Sequence, residues 1–278
     1  GNRAKGWFYE VPSENLHESE YDDGAAHWYY AKNDGTLYAN VIKTINGKKY
    51  AFNGYGEMLS GLQAIATDDD GNILWNKKID EESEINQYVD VNASRYQVGA
   101  ERTDYVIYYF GSGDDGAMKL NSQNISIDGD VYNFYFVKSG ENKGKGYGTD
   151  GVTDEYYLSE DKKTVAANSY VYDDKAVYTN GLKVTADSDL RYQAVDVTTG
   201  KTYSRNEVIA MEGEAKANNL VLINASGSIM KNKSSVKDGD DYYYKTNKYG
   251  VIIAISTEKD GLKSGKEADG SRYINNID

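Results

Sequence analysis

Two stretches of this chain place apolar and aromatic residues in the same frame at a fixed interval. Residues 28–45, WYYAKNDGTLYANVIKTI, and residues 49–65, KYAFNGYGEMLSGLQAI, match Tyr29 with Tyr50, Gly35 with Gly56, Leu37 with Met58 and Val41 with Leu62, each pair 21 residues apart. Each unit runs aromatic, polar, glycine, apolar, which predicts a short strand, a tight turn and a second strand. The frame returns at residues 221–229, VLINASGSI, and 244–252, YKTNKYGVI, spaced by 23 residues. There Val221 and Tyr244 take the first slot, Gly227 and Gly250 the turn, and Ile229 and Ile252 the apolar slot after it. Between these blocks the pattern is looser. Tyr108-Tyr109-Phe110 with Gly116 and Met118 reads as a unit with a longer turn, and Phe134-Tyr135-Phe136 and Tyr156-Tyr157-Leu158 read as further strand starts.

Turn chemistry points the same way. Twelve Asn-Gly or Asp-Gly pairs occur, among them Asp34-Gly35, Asn46-Gly47, Asp70-Gly71, Asp128-Gly129, Asn180-Gly181 and Asp238-Gly239. Such pairs tolerate positive φ and suit two-residue hairpin turns. Helical periodicity is nearly absent; the one candidate spans 204–219, with Ser204 as N-cap and Glu207 completing a capping box. A lone hairpin is marginal in water, so the units are expected to lean on one another. The expected fold is therefore all-β, a stacked β-hairpin repeat array of β-solenoid-like form, with little or no helix. Residues 1–25, acidic and weakly patterned, read as an N-terminal capping segment, 26–126 as a first block of hairpin repeats and 127–278 as a second.

Composition adds a constraint on the interior. The chain has 27 Tyr against 5 Phe, 28 Gly and a single Pro, Pro12. Tyrosine packs its ring and keeps its hydroxyl wet, which suggests thin layers with little deep interior. The net charge of -13, from 31 basic and 44 acidic residues, repels phosphate and weighs against nucleic acid as a partner. No run of 18 apolar residues exists, so membrane insertion is not expected. Cysteine is absent, which excludes a disulfide framework and thiol chemistry. A start at Gly1 without a signal peptide is read as a mature or excised portion of a longer polypeptide, with a further domain expected elsewhere in it.

Candidate chemistry is sparse. Only His17 and His27 could act as near-neutral bases, and neither lies near a nucleophile motif; His27, before Trp28, reads as a surface residue at a strand start. Asp68-Asp69-Asp70-Gly71-Asn72 looks oxygen-rich, but the twelfth place from Asp68 is Ile79 rather than the Glu of a calcium loop. That stretch and Asp238-Gly239-Asp240-Asp241 read as solvated turns. Carboxylate pairs such as Asp154-Glu155 arise by chance among 44 acidic residues. No catalytic residue, metal or cofactor is expected, and the chain is read as no enzyme.

Residues 27–65 and 218–256 resemble the cell-wall-binding repeats of Gram-positive surface proteins, which include choline-binding and glucan-binding modules, with the general form GWxxxxGxWYYFxxxGxMxTGW. The resemblance implies a non-catalytic extracellular module, at the cell wall or cell surface, that anchors a protein to the envelope by binding wall polymer or glycan. In choline-binding members, rings of neighbouring hairpins form an aromatic cage. Carried onto this chain, the cage candidates are Trp28, Tyr30 and Tyr50, with Trp7 of the Gly6-Trp7 pair from an earlier, degenerate unit. Where the repeat closes with Gly-Trp, this chain has Asn40-Val41 and Gly61-Leu62, so packing is kept and a ring is lost; a generic glycan, or no small ligand, fits better than choline. Tyr108, Tyr156 and Tyr243 complete the candidate ligand-contacting set. The plainer reading of all these rings is that they cover the hairpin stack. The rival function is a structural spacer or adhesin module whose partner is a protein.

Overall fold

The computed structural model describes residues 4–96, 104–149, 151–211, 219–263 and, for the backbone, 273–274. It is built mostly of short antiparallel strands in small sheets. The chain divides into two compact units: Gly1–Tyr88 with Gln97–Val131 and Phe136–Lys145, and Val89–Tyr96 with Tyr132–Tyr135 and Gly146–Asp278.

In the first unit β1 (Gly6–Glu10) pairs with β2 (His27–Ala31) across a connection that carries the one-turn helix α1 (Glu18–Asp22). The register sets Trp7 opposite Tyr30 and Tyr9 opposite Trp28, so the period of two puts all four on one face and Phe8 and Tyr29 on the other. β3 (Val41–Ile45) and β4 (Lys48–Phe52) form the next hairpin. β5 (Leu62–Thr67) is the centre of a three-stranded sheet between β6 (Ile73–Ile79) and β7 (Val106–Tyr109). Being central, β5 buries Leu62, Gln63, Ala64, Ile65 and Ala66 in succession instead of alternating. α2 (Glu82–Tyr88) inserts Ile85 and Tyr88 into the interior. β8 (Asn121–Ile127) closes the unit's strand list.

The second unit takes Tyr132–Tyr135 from β9 (Asp130–Phe136), where Phe134 pairs with Leu182. It continues with β10 (Asp154–Tyr157), β11 (Val165–Ser169), β12 (Val171–Tyr172), β13 (Ala176–Thr179), β14 (Leu182–Lys183), β15 (Tyr192–Asp196) and β16 (Thr202–Tyr203). After α3 (Arg205–Ile209) come β17 (Leu220–Asn224), β18 (Val236–Lys237), β19 (Tyr243–Thr246), β20 (Ile252–Ser256) and β21 (Tyr273–Ile274). β17 explains the apolar run LVLIN: Val221 and Ile223 join a core with Val177, Val195, Val197 and Val251, while Leu220 and Leu222 face Val208, Tyr244, Ile252 and Ile255. Both sides of the strand are covered, so no position can be polar until Asn224.

Three sequence expectations change here. The interior is deeper than a tyrosine-rich composition suggests, because Phe52, Phe110, Phe134 and Phe136 are all fully buried and apolar clusters fill both units. The helix expected over 204–219 is only Arg205–Ile209; its Ser204–Glu207 capping box is present, Ala210 caps it, and 212–218 lie outside the described residues. Of the six Asx-Gly pairs named above, Asn46-Gly47, Asp128-Gly129 and Asn180-Gly181 are two-residue turns with positive φ at both positions. Asp34-Gly35 and Asp70-Gly71 instead end the bend of five-residue loops, and Asp238-Gly239 opens one.

That loop recurs through both units. At Asn53, Asp68, Asn224 and Asn247 the side-chain oxygen accepts the N–H groups two and four residues on, with distances of 2.8 to 3.1 Å. The residue three on is Gly56, Gly71, Gly227 or Gly250, with φ between 80° and 85°. The loop polar groups are thus satisfied within the loop itself.

Candidate aromatic site

The residues proposed from the sequence do not share one fate. Trp7, Trp28, Tyr30 and Tyr50 come together. The Trp7 ring centroid lies 4.8 Å from Tyr50, 5.2 Å from Tyr30 and 6.4 Å from Trp28, all edge to face. Phe52, at 5.9 Å from Trp7, and Tyr38, stacked on Tyr30 at 5.5 Å, extend the layer. It lies where the β1/β2 hairpin leans on the β3/β4 hairpin. Edge-to-face contacts of this kind stabilise by about 0.5–1.5 kcal/mol per pair beyond area burial.

These rings are only half-buried, and Tyr9, 53% exposed, stands 5.1 Å from Trp28. The layer therefore has a packed inner edge around Trp7 and an accessible outer edge at Tyr9 and Trp28. Lys32 and Lys43 place their ammonium groups 5.3 and 5.7 Å from the Tyr38 ring. Tyr9 and Tyr38 were missed from the sequence. Tyr9 could have been found from strand period alone, being two residues beyond Trp7.

Tyr108, Tyr156 and Tyr243 lie elsewhere. Tyr108 is buried against Phe110, 6.1 Å away, and burial pushes its hydroxyl up to about 12. Tyr156 is buried in the second unit, donates to the Tyr249 carbonyl at 2.5 Å, and is held well above the ordinary tyrosine range, first by burial and then by Asp174. Both serve as core residues. Tyr243 is half-buried on β19, with the Lys237 ammonium 5.7 Å from its ring. A second aromatic group that the sequence did not reveal joins Tyr135, Tyr147, Tyr172 and Tyr178, with Tyr135 stacked on Tyr172 at 3.8 Å. Its members come from separated segments, so no local pattern announces it.

The other face of β2 is ionic. His17 Nδ1 lies 2.6 Å from Glu57 Oε1, Asn53 Nδ2 donates to Glu57 Oε2 at 2.7 Å, and the His17 imidazole stacks on Tyr55 at 3.7 Å. His27 Nε2 lies 2.8 Å from Glu20 Oε2 and 4.0 Å from Glu57 Oε1, so this histidine is a bonded, half-buried residue rather than a plain surface one. Burial, helped by Glu57, Glu20 and Glu10, holds the Tyr29 hydroxyl protonated far above the usual tyrosine range. Tyr29 and Tyr50, equivalent in the repeat frame, therefore have different surroundings. These contacts brace the β1/β2 hairpin through α1. The Asp68 carboxylate is consumed inside its own loop, by Asp70 and Asn72. Among the described residues no three His, Cys, Asp or Glu are placed to hold a metal, and no helix is long and apolar enough to cross a membrane.

No family model matches this chain, and no curated protein matches it. Solved structures similar to it include choline binding protein F from Streptococcus pneumoniae, at 18% identity over 90% of this chain and 48% of that one, with a TM-score of 0.38. The modular autolysin LytC from Streptococcus pneumoniae, solved with a synthetic peptidoglycan ligand, is 13% identical over 81% of this chain and 36% of its own, with a TM-score of 0.29. The cell-wall endolysin of phage Cp-1, solved with choline, is 16% identical over 66% and 39% respectively, with a TM-score of 0.24. The chain spans about half or less of the length of each. Choline-binding proteins and cell-wall endolysins are among the solved structures it is similar to.

Proposed function

We propose that this chain is a non-catalytic extracellular module that binds a cell-wall polymer or glycan and so anchors a longer surface protein to the envelope. The observation that carries this reading is the aromatic layer of Trp7, Trp28, Tyr30 and Tyr50, with Tyr9 open at its rim. Flat ring faces suit the C–H faces of sugars, and the net charge of -13 suits neutral or cationic partners better than phosphate. In this reading the hairpins continue as a stacked array, each covering the aromatic face of the next. A glycan is preferred to choline, because the rings around Trp7 touch one another instead of surrounding a cation-sized space. The same ring contacts favour a second reading, in which the layer is only packing and the chain is a spacer or adhesin that meets a protein.

Co-sedimentation with purified Gram-positive cell walls separates these. The binding reading expects the chain in the pellet, Tyr9→Ala and Trp28→Ala shifted to the supernatant, and no release of reducing ends. A chain that stays in the supernatant supports the spacer; reducing ends that disappear on mutating one carboxylate would make it an enzyme.

A further inference from the structure

The second unit holds a groove of about 510 Å³. Its lining includes the amides of Asn168 and Asn219, the hydroxyls of Thr153 and Thr198, the ring of Tyr170 and the methyl of Ala167. Among the described residues, none that lines it carries a carboxylate, ammonium or guanidinium group, in a chain whose residues are 27% charged. The groove of the first unit, about 440 Å³, is by contrast bordered by Lys78, Asp80 and Asp128.

A separate observation marks the same place. β10 and β11 pair Asp154 with Ser169 and Tyr156 with Ala166, so Ala167 and Asn168 together oppose the single residue Glu155. This is a β-bulge, a device that re-aims side chains and is common beside functional sites. Both bulge residues are exposed, and both line the groove. Other residues of the lining are held by hydrogen bonds. Tyr170 N–H donates to the Val197 carbonyl at 2.6 Å and Val197 N–H to the Asn219 carbonyl at 3.0 Å. Thr198 is fixed by two bonds from its N–H and Oγ1 to Asp196 Oδ1, at 2.8 and 2.7 Å.

We propose that this groove binds a neutral saccharide segment. Among the described lining residues an ion leaving water would find no counter-charge, whereas amides, hydroxyls, one ring and small methyl groups match a ligand of alternating hydroxyl and C–H faces. The volume falls within the range of small-molecule sites, and lining residues already held by hydrogen bonds lower the ordering cost of binding. The site is independent of the aromatic layer in the first unit, and each can fail without the other.

The test is an amide NMR titration of the full chain with chitotetraose, isomaltotetraose and choline chloride. Saturable shifts at Ala167, Asn168 and Thr198 with either oligosaccharide, and none there with choline, are expected. Ala167→Trp, which fills the groove, and Asn168→Ala, which only removes an amide, should each weaken binding about tenfold or more, equivalent to about 1.4 kcal/mol. Trp28→Ala should leave it unchanged. The proposal is overturned if neither oligosaccharide moves these resonances up to about 10 mM, if choline moves them instead, or if Trp28→Ala abolishes the effect while Asn168→Ala does not.

Discussion

The aromatic residues of this chain divide between core and seam. Four of the five Phe are fully buried, whereas Trp7, Trp28, Tyr30 and Tyr50 stay half-wet at a seam between hairpins. Asn247, 5% exposed, accepts from the Tyr249 and Val251 N–H groups and donates to the Leu158 carbonyl at 2.7 Å. Asn247→Ala is expected to destabilise the second unit by about 2–3 kcal/mol, because it orphans buried backbone groups. Urea unfolding measures this. Gly148 is a comparable point of strain: its φ is 78° and an added Cβ would run into the Tyr178 carbonyl, so Gly148→Ala should lower the melting temperature by several degrees, about 1–3 kcal/mol.

At the scale of elements, much of the architecture was legible because it is local. Aromatic starts, glycine turns and period-two alternation place β2 to β5, β17, β19 and β20 where the repeat frame puts strands. The turn types were only half legible. The signal lay in an Asx followed by Gly at the fourth position, as in Asn53 to Gly56 and Asn224 to Gly227, and adjacent Asx-Gly pairs obscured it. α2 was missed because ESEINQY shows just two apolar residues one turn apart, Ile85 and Tyr88; its Glu84 pairs with Lys77 of β6, a contact invisible in the sequence. In the candidate site, ring identities were readable but burial was not, and Tyr108 and Tyr156 turned out to be core. Two element tests follow. Gly47→Ala, at φ 82° in the β3/β4 turn, should cost about 1 kcal/mol, and Ser204→Ala, which removes the α3 cap, about as much; chemical denaturation reads both.

The whole molecule should be unusually sensitive to alkali. Tyr108, Tyr147, Tyr156 and Tyr244 are each held above the ordinary tyrosine range, chiefly by burial. Unfolded tyrosines ionise near pH 10, while Tyr108 keeps its proton to about 12. Their stabilisation is therefore complete below pH 10 and is lost as the pH rises through the folded values, by about 1.4 kcal/mol per pH unit for each. Tyrosinate absorbance should consequently rise in two stages, exposed rings first and buried rings together with loss of β-sheet circular dichroism. A single smooth titration with the fold intact would contradict this burial.

Titrating intrinsic Trp and Tyr fluorescence with purified wall polysaccharide asks whether the rings at the hairpin seam meet a wall polymer. A saturable change is expected in the unaltered chain, and its disappearance in a folded Trp28→Ala variant. A flat response, or one that survives intact in Trp28→Ala, would contradict it.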